Sequence, residues 1–581
     1  EGEDCNDSWN VDKSDDGVAW SKKEWGNAKW SVYFAKAGIY KVKLHMEVTE
    51  PAEGDFKTFQ FGVYQEGDPN PDKKINRTNE ENIFEVEEFT IPESGVWKVK
   101  IMDSSQEVSA KLDYIEFELI KEIVETPEKP EFTEEEIKKA KEIYQNKEIE
   151  TEKRVEALLN VMTLKEKAAQ MVQAEQGNGG GNVKGNRPAT PELVEKYGIG
   201  SVLSGGGSKP PTGNSAKDWQ NRVNEFKDAA LKNHLEIPLI YGVDAVHGHN
   251  NVDNAVMFPH NIGLGAANDK NLVERVGKAA AEEIKATGIR WSFAPTIGVP
   301  DSERWGRFYE CFGDNADIVS KLGSAYVGAL QDGGVAASAK HYIGEGQTKD
   351  GINQGNVETD DFDALMEEKK LLEPYKAAIE AGAYTVMASY NSVNGLKCHA
   401  NKYLLTDVLK QDLKFEGFVI SDYNGVDQVE GANYEEKVEK SVNAGVDMFM
   451  EPYDWKNFID AVVKNVEEKK ITEDRINDAV SRILTVKFKM GLFDEEPTQA
   501  KEEENKLLEK FGGDEHRAIA KEAAEKSLTV LKNDDVTING KEKAVLDLLD
   551  DGVFKNIVLA GDKADDIGAQ CGGWTISWQG G

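Results

Sequence analysis

Apolar and polar residues alternate one by one through the first stretch of the chain. Val42, Leu44, Met46 and Val48 interleave with Lys41, Lys43, His45 and Glu47. Trp97, Val99 and Ile101 alternate with Lys98 and Lys100, and Ile115, Phe117 and Leu119 with Glu116 and Glu118. A period of two sends successive side chains to opposite faces, so these runs predict half-buried antiparallel strands. Turn-forming stretches such as Gly67-Asp68-Pro69-Asn70-Pro71 separate them. We expect an all-β sandwich over residues 1–121.

The pattern then changes. Pro and Glu crowd residues 122–136, and a charged helical stretch runs from 138 to about 159. We read 122–150 as linker and helix. From Met162 onward, short apolar runs alternate with amphipathic stretches, which predicts a parallel α/β fold. Eight strand runs are expected near 170–174, 201–204, 239–243, 291–295, 336–340, 385–389, 418–421 and 446–450. Helices are expected at 271–287, 314–331 and 361–381, among others. Eight such units predict a (β/α)8 barrel over 151–494. A doubly wound sheet is the alternative, but it would rarely need eight strands in one run. Residues 495–514 read as an acidic linker. A helix from His516 and apolar runs at 528–533 and 556–561 then open a C-terminal α/β domain over 515–581. Too few elements follow to finish such a domain, so it is read as incomplete.

Composition narrows the partners. The 581 residues carry a formal net charge of −36, a field that repels nucleic-acid backbones and anionic membrane surfaces. No apolar run approaches the roughly 18 residues of a spanning helix. The first residue is not Met and no leader precedes it; a removed leader and a trimmed chain both fit. Cys5, Cys311, Cys398 and Cys571 are scattered without metal-ligand spacing, so no metal site and no cofactor are expected.

In a barrel of this kind the C-terminal strand ends converge on one face. Those positions carry Asp244, Lys340, His341, Asp422 and Glu451, with Arg304 in the loop after the fourth strand. A single strand-end Asp can equally cap the next helix. Several charged groups from several strands instead suit a polyhydroxylated ligand, whose hydroxyls need donors and acceptors together.

The residues around these positions carry a specific resemblance. Gly242-Val243-Asp244-Ala245-Val246-His247-Gly248, Phe258-Pro259-His260, Arg304-Trp305-Gly306-Arg307, Lys340-His341, Val419-Ile420-Ser421-Asp422-Tyr423 and Gln570-Cys571-Gly572-Gly573-Trp574-Thr575 stand in order along residues 155–581. Together they closely resemble glycoside hydrolase family 3, nearest to its β-glucosidases and exo-β-glucanases. The resemblance implies a retaining, exo-acting hydrolase that releases glucose from non-reducing ends of β-glucosides or β-glucan oligosaccharides. It makes Asp422 the nucleophile, with Asp244, Arg304, Lys340 and His341 around the terminal sugar. Tyr423 stands where the family often has Trp, and Trp574 or Trp578 would face it across the next sugar. Glu345 and Glu451 lie on the same face of the barrel, and Glu451 is counted among the substrate-binding residues.

One branch of the family takes its acid from a His loop after the Lys-His pair. Here that loop reads Tyr342-Ile343-Gly344-Glu345-Gly346 with no Asp-Ser-His, so an N-acetylhexosaminidase is disfavoured. The resemblance therefore places the general acid/base, a Glu, beyond Gly581. It also implies work outside the cell or at its surface, or in a periplasm. The N-terminal unit looks like a carbohydrate-binding module, in which Trp9, Trp20, Trp25 and Trp30 supply either a sugar platform or core. A β-xylosidase of the same family and a non-catalytic glucan-binding protein are the alternatives.

Overall fold

A computed structural model describes residues 7–9, 12–14, 17–20, 26–34, 38–49, 59–64, 73–77, 82–91, 95–103, 109–122, 132–177, 188–554 and 556–581. The chain divides into two compact units, one reaching to Pro130 and one beginning at Glu131.

The first unit is built of ten strands: β1 (Asp7–Trp9), β2 (Asp12–Ser14), β3 (Gly17–Trp20), β4 (Gly26–Phe34), β5 (Gly38–Thr49), β6 (Phe59–Tyr64), β7 (Lys73–Arg77), β8 (Ile83–Ile91), β9 (Gly95–Asp103) and β10 (Ser109–Glu122). They follow the order β1-β4-β9-β6-β7-β8-β5-β10-β3-β2, and the pairs in register are antiparallel. The alternating residues explain the core. Trp30, Phe61 and Val99 from one half and Val42, Phe84 and Leu112 from the other belong to one buried cluster, while Lys43, Glu116 and Glu118 face outward. Trp30 is thus core. Trp25 and the side chains of Trp9 and Trp20 lie outside the described residues.

The second unit holds the barrel. Its strands are β11 (Val172–Glu175), β12 (Ser201–Ser204), β13 (Ile240–Val243), β14 (Trp291–Ser292), β15 (Ala336–Tyr342), β17 (Thr385–Ala388), β20 (Phe418–Ile420) and β21 (Phe449–Met450). All are parallel, in the order β20-β17-β15-β14-β13-β12-β11-β21. A parallel bridge from Ile420 to Met448 brings the two ends together. All eight predicted runs therefore become barrel strands, buried on both faces, because helices cover the outside and side chains fill the inside. Two short insertions carry β16 (Asn356–Val357), β18 (Ser392–Val393) and β19 (Leu396–Lys397).

Three expectations change. The single helix expected to run to about 159 is two, Glu134–Tyr144 and Thr151–Leu159, and both join the barrel unit. A capping box at Thr133 starts the first. It ends where Tyr144 is drawn inward, its hydroxyl donating to the Leu235 carbonyl at 2.8 Å. The acidic stretch 495–514 is largely the helix Pro497–Leu508, whose Glu504 accepts from Lys227 at 2.9 Å. The apolar runs at 528–533 and 556–561 are not strands. Only the hairpin β22 (Asp535–Ile538) and β23 (Lys541–Ala544) forms there among the described residues, closed by Asn539-Gly540, both with positive φ as a tight hairpin requires. Among the described residues no strand pairs with these runs, and their large apolar side chains are exposed.

Candidate active site

Each central residue follows the end of a barrel strand. Asp244 follows β13, Lys340 and His341 lie at the end of β15, and Asp422 comes two residues after β20. No helix starts directly after Asp244 or Asp422, so neither is a helix cap.

Asp422 is 8% exposed. Its backbone N–H donates to His399 Nε2 at 3.0 Å, and its Oδ1 accepts the Tyr423 N–H at 2.7 Å. Its Oδ2 has no hydrogen-bond partner and lies 3.6 Å from His341 Nε2. His341 is itself clamped, since Glu345 accepts its backbone N–H at 2.9 Å and lies 2.5 Å from Nδ1. A carboxylate with one oxygen fixed and the other unpaired, beside an oriented imidazole, is arranged to attack or to bind a cationic centre.

Asp244 and the buried Lys340 lie 3.7 Å apart. Burial pushes the Asp244 carboxyl up to about 6, Lys340 pulls it down, and the Asp422 charge pushes it up again. Arg307 makes a two-pronged bond to Glu310, 2.8 Å on each side. Burial works to raise Glu310, but Arg307 outweighs it and holds the carboxyl at about 2. Glu310 also accepts from Trp574 Nε1 at 2.9 Å. The Trp574 ring centroid is 5.6 Å from the Lys340 ammonium, a cation–π distance.

The segment bearing Trp574 is pinned by two stacked imidazoles. His247 and His260 lie 3.9 Å apart, with ring nitrogens 3.1 Å from the Trp574 carbonyl and 2.9 Å from the Gly573 carbonyl. Burial drives both rings toward the neutral form, His260 to about 3. Trp578, 61% exposed, lies over Gly206, where a Cβ would sit only 2.6 Å from the Trp578 Cβ.

The structure thus gathers Asp244, Lys340, His341, Asp422 and Trp574, with Tyr423 joined through its backbone to Asp422. Two expected residues are placed elsewhere. Arg304 is exposed on its loop, because the next residue, Trp305, turns inward and donates from Nε1 to Asn353 at 3.0 Å. Arg307, at the other end of the same motif, is the arginine whose charge reaches Asp422. Glu451 is fully buried away from the pocket, beside the Tyr434 hydroxyl and near Asp427 and Asp454. It follows Met450 at the end of β21 and sits beside Tyr434, the first residue of the helix Tyr434–Ala444.

Sequence reasoning did not single out Arg307, Glu310, His399 or Tyr390 as pocket residues. Tyr390 donates to the Tyr423 carbonyl at 2.5 Å. Arg307 and Glu310 carry a readable signal, opposite charges three residues apart in the loop after the fourth expected strand; His399 carries none. Among the described residues, no group of three or more His, Cys, Asp or Glu could hold a metal ion.

Comparison with known proteins supplies the context for this geometry. Residues 163–486 match the family described as glycosyl hydrolase family 3 N terminal domain. A lysosomal beta glucosidase of Dictyostelium discoideum is 29% identical over 462 residues, covering 73% of this chain and 53% of that protein. A beta-xylosidase of Formosa agariphila is 33% identical over 339 residues, 53% of this chain and 45% of that protein. Among solved structures, an exo-1,3/1,4-beta-glucanase from a Pseudoalteromonas species is similar with a TM-score of 0.66 and 38% identity, covering 74% of this chain and 52% of that one. The chain spans about half the length of these relatives.

Proposed function

Because this chain belongs to glycosyl hydrolase family 3, we propose that its barrel serves an exo-acting, retaining β-glucosidase working by double displacement. The observation that carries the reading is the buried Oδ2 of Asp422, left without a hydrogen-bond partner among charges that include Asp244, Lys340 and Arg307, with Trp574 against Lys340. In the first step Asp422 Oδ2 bonds to the anomeric carbon while the bond to the leaving oxygen breaks, its electron pair departing with the aglycone. Water then attacks the same carbon, and Asp422 leaves as carboxylate. Asp244 accepts from sugar hydroxyls, Lys340 donates to them, and Trp574 covers an apolar sugar face.

A 2-deoxy-2-fluoro glucoside with a dinitrophenyl leaving group tests the nucleophile. Mass shift of the peptide holding Asp422 is the expected result. Labelling at Asp244 or Glu451 overturns the assignment, and no labelling together with sugar binding favours a non-catalytic glucan-binding protein.

The acid that assists the leaving group is a separate matter. Glu310, Glu345 and Asp244 are each already engaged by a cation, an imidazole or an N–H. With these three engaged, the 581-residue polypeptide should hydrolyse a dinitrophenyl glucoside far faster than cellobiose, because only the activated phenolate departs unprotonated; an ordinary rate on cellobiose would point instead to Glu175, which burial pushes up to about 8.

The Formosa agariphila relative favours a second reading, a β-xylosidase. An aryl β-xyloside turned over faster than the matching β-glucoside selects it. As part of the main reading we place the protein at the cell surface, outside the cell or in a periplasm, where β-glucan is met; its recovery solely from washed cytosol would remove that part. For the N-terminal unit, the exposed Tyr114, stacked on His45 at 3.9 Å, is the sugar platform we infer in place of Trp30. Tyr114→Ala should weaken retention on insoluble β-glucan and leave aryl-glucoside turnover unchanged.

A further inference from the structure

We propose that His399 is a positioning residue for the nucleophile, its neutral imidazole accepting the Asp422 backbone N–H and so holding the unpaired carboxylate oxygen toward His341. The inference rests on the reading of Asp422 given above.

The sheet ladder explains why such a partner is needed. Ser421 still donates its N–H to the Met448 carbonyl at 2.9 Å. Beyond it the strand has ended, and the Asp422 N–H meets no backbone acceptor. His399 Nε2, 3.0 Å away, takes that rung. With Tyr423 N–H on Oδ1, both the backbone and one carboxylate oxygen are then fixed, and Oδ2 is left without a hydrogen-bond partner.

The ring can play this part only as acceptor at Nε2, which puts its proton on Nδ1. Nδ1 has no hydrogen-bond partner, and the side chain is wholly buried. Burial keeps the ring neutral by drawing it down to about 4, against the pull of Asp422. An imidazolium would turn a second N–H toward the Asp422 N–H. Space is made on the nucleophile's own loop: a Cβ at Gly425 would fall 2.4 Å from His399 Nε2 and 2.8 Å from Cε1.

The chain leading into His399 is anchored as firmly. Lys397 Nζ donates to the Tyr390 carbonyl at 2.7 Å, the Gln354 carbonyl at 3.0 Å and Gln428 Oε1 at 3.3 Å. The Cys398 N–H donates to the Asn391 carbonyl at 3.0 Å. The insertion after β17 therefore ends as a clamp on the nucleophile's loop.

The test separates an acceptor from a space-filler. His399→Phe keeps a ring but no acceptor, and His399→Gln offers a carbonyl oxygen. The readout is the rate of labelling at saturating dinitrophenyl 2-deoxy-2-fluoro glucoside, followed by release of dinitrophenolate. In that step the Asp422 Oδ2–C1 bond forms as the C1–O(aryl) bond breaks with its electron pair. Misplacing an attacking group by about 1 Å can cost about 100-fold, so His399→Phe, which frees the Asp422 backbone, should slow labelling about 10- to 100-fold. Its inhibition constant for glucose should move by less than about 3-fold, and His399→Gln should recover most of the rate. Equal slowing of both variants, or none in His399→Phe, overturns the proposal. Should His399→Phe not fold, Gly425→Ala, which crowds the imidazole, must slow labelling; a wild-type rate there overturns it too. Failure of the wild-type protein to label at Asp422 removes the underlying reading, and this inference with it.

Discussion

Phe418, Val419 and Ile420 are wholly buried in the barrel wall, whereas Ile557, Val558 and Leu559 stand 69, 85 and 81% exposed. Both stretches are short apolar runs of β-branched and large residues, flanked by polar positions and followed by Ser-Asp or Gly-Asp. The barrel run has β17 beside it, the Met448 bridge on its other side and the helix Glu473–Lys489 against it. The second run has none of these among the described residues. Burial of each such side chain is worth about 1.5–3 kcal/mol, and only the first run collects it. An apolar run is thus an offer of surface, and neighbours decide whether that surface becomes structure. The same neighbours decide where Asp422 stands, two residues beyond the buried run.

The sharpest way to strain this contrast is to change the residue the wall presents. Asp422→Asn removes the attacking charge and leaves shape and backbone bonds in place. We expect kcat on an aryl β-glucoside to fall by about 10⁴-fold, with an unchanged unfolding midpoint. A fall below about 100-fold would mean that Asp422 stands there for some other purpose.

Next in size is the pair that buttresses the pocket. Arg307→Ala strands Glu310, 1% exposed, without its cation. Breaking one partner of a buried pair costs about 3–5 kcal/mol, and Trp574 Nε1 and the roughly one-fifth exposure of Arg307 relieve part of it. We expect a loss of about 3 kcal/mol in urea unfolding at pH 7. Because Glu310 titrates at about 2, below its ordinary value, its stabilising share is present above pH 4.5 and lost toward pH 2. The deficit of the variant should therefore shrink on acidification.

These two cases also show what could be read in the sequence. The barrel was legible because its eight runs recur with helices between them, and Asp244, Lys340, His341 and Asp422 because they stand at the ends of those runs. Arg304 was preferred to Arg307 because a motif gives spacing, not the direction of a turn; the inward swing of Trp305 decides that. Glu451 was misplaced because a strand-end position does not say which neighbour it meets; here that is Tyr434. His399 left no trace, since it is brought to Asp422 by an insertion whose course depends on tertiary packing. The apolar run at 556–561 reads as a strand by pattern, and pattern carries no information about who its neighbour is.

Glu451 gives a smaller effect with an unusual sign. Burial first, and then the Asp427 charge, push its carboxyl up to about 8, while Tyr434 pulls the other way. A folded-state value above the unfolded one means its stabilising share is full below about pH 4.5 and lost as pH rises toward 8. Glu451→Gln has no proton to lose. It should match the parent protein near pH 4.5 and exceed it by a few kcal/mol at pH 8 to 9, at about 1.4 kcal/mol for each unit of the raised value. Thermal unfolding at the two pH values checks this, and equal midpoints at pH 8.5 would refute the buried, proton-holding carboxyl.

The smallest effect on stability tests the other side of the contrast. Leu531 is 93% exposed and Val558 85% exposed. Replacing both by Ser removes apolar surface that is already in water, so little transfer energy is at stake. We expect a change within about 0.5 kcal/mol in urea unfolding, as for other exposed positions. Association should respond far more, because 528–531 and 557–559 each expose large apolar side chains, the kind of surface that draws another polypeptide. Sedimentation at increasing concentration should show the parent 581-residue chain self-associating and the double Ser variant less so. If instead the double variant unfolds more than about 1.5 kcal/mol more easily, these side chains are buried after all. The two runs would then differ in degree and not in kind.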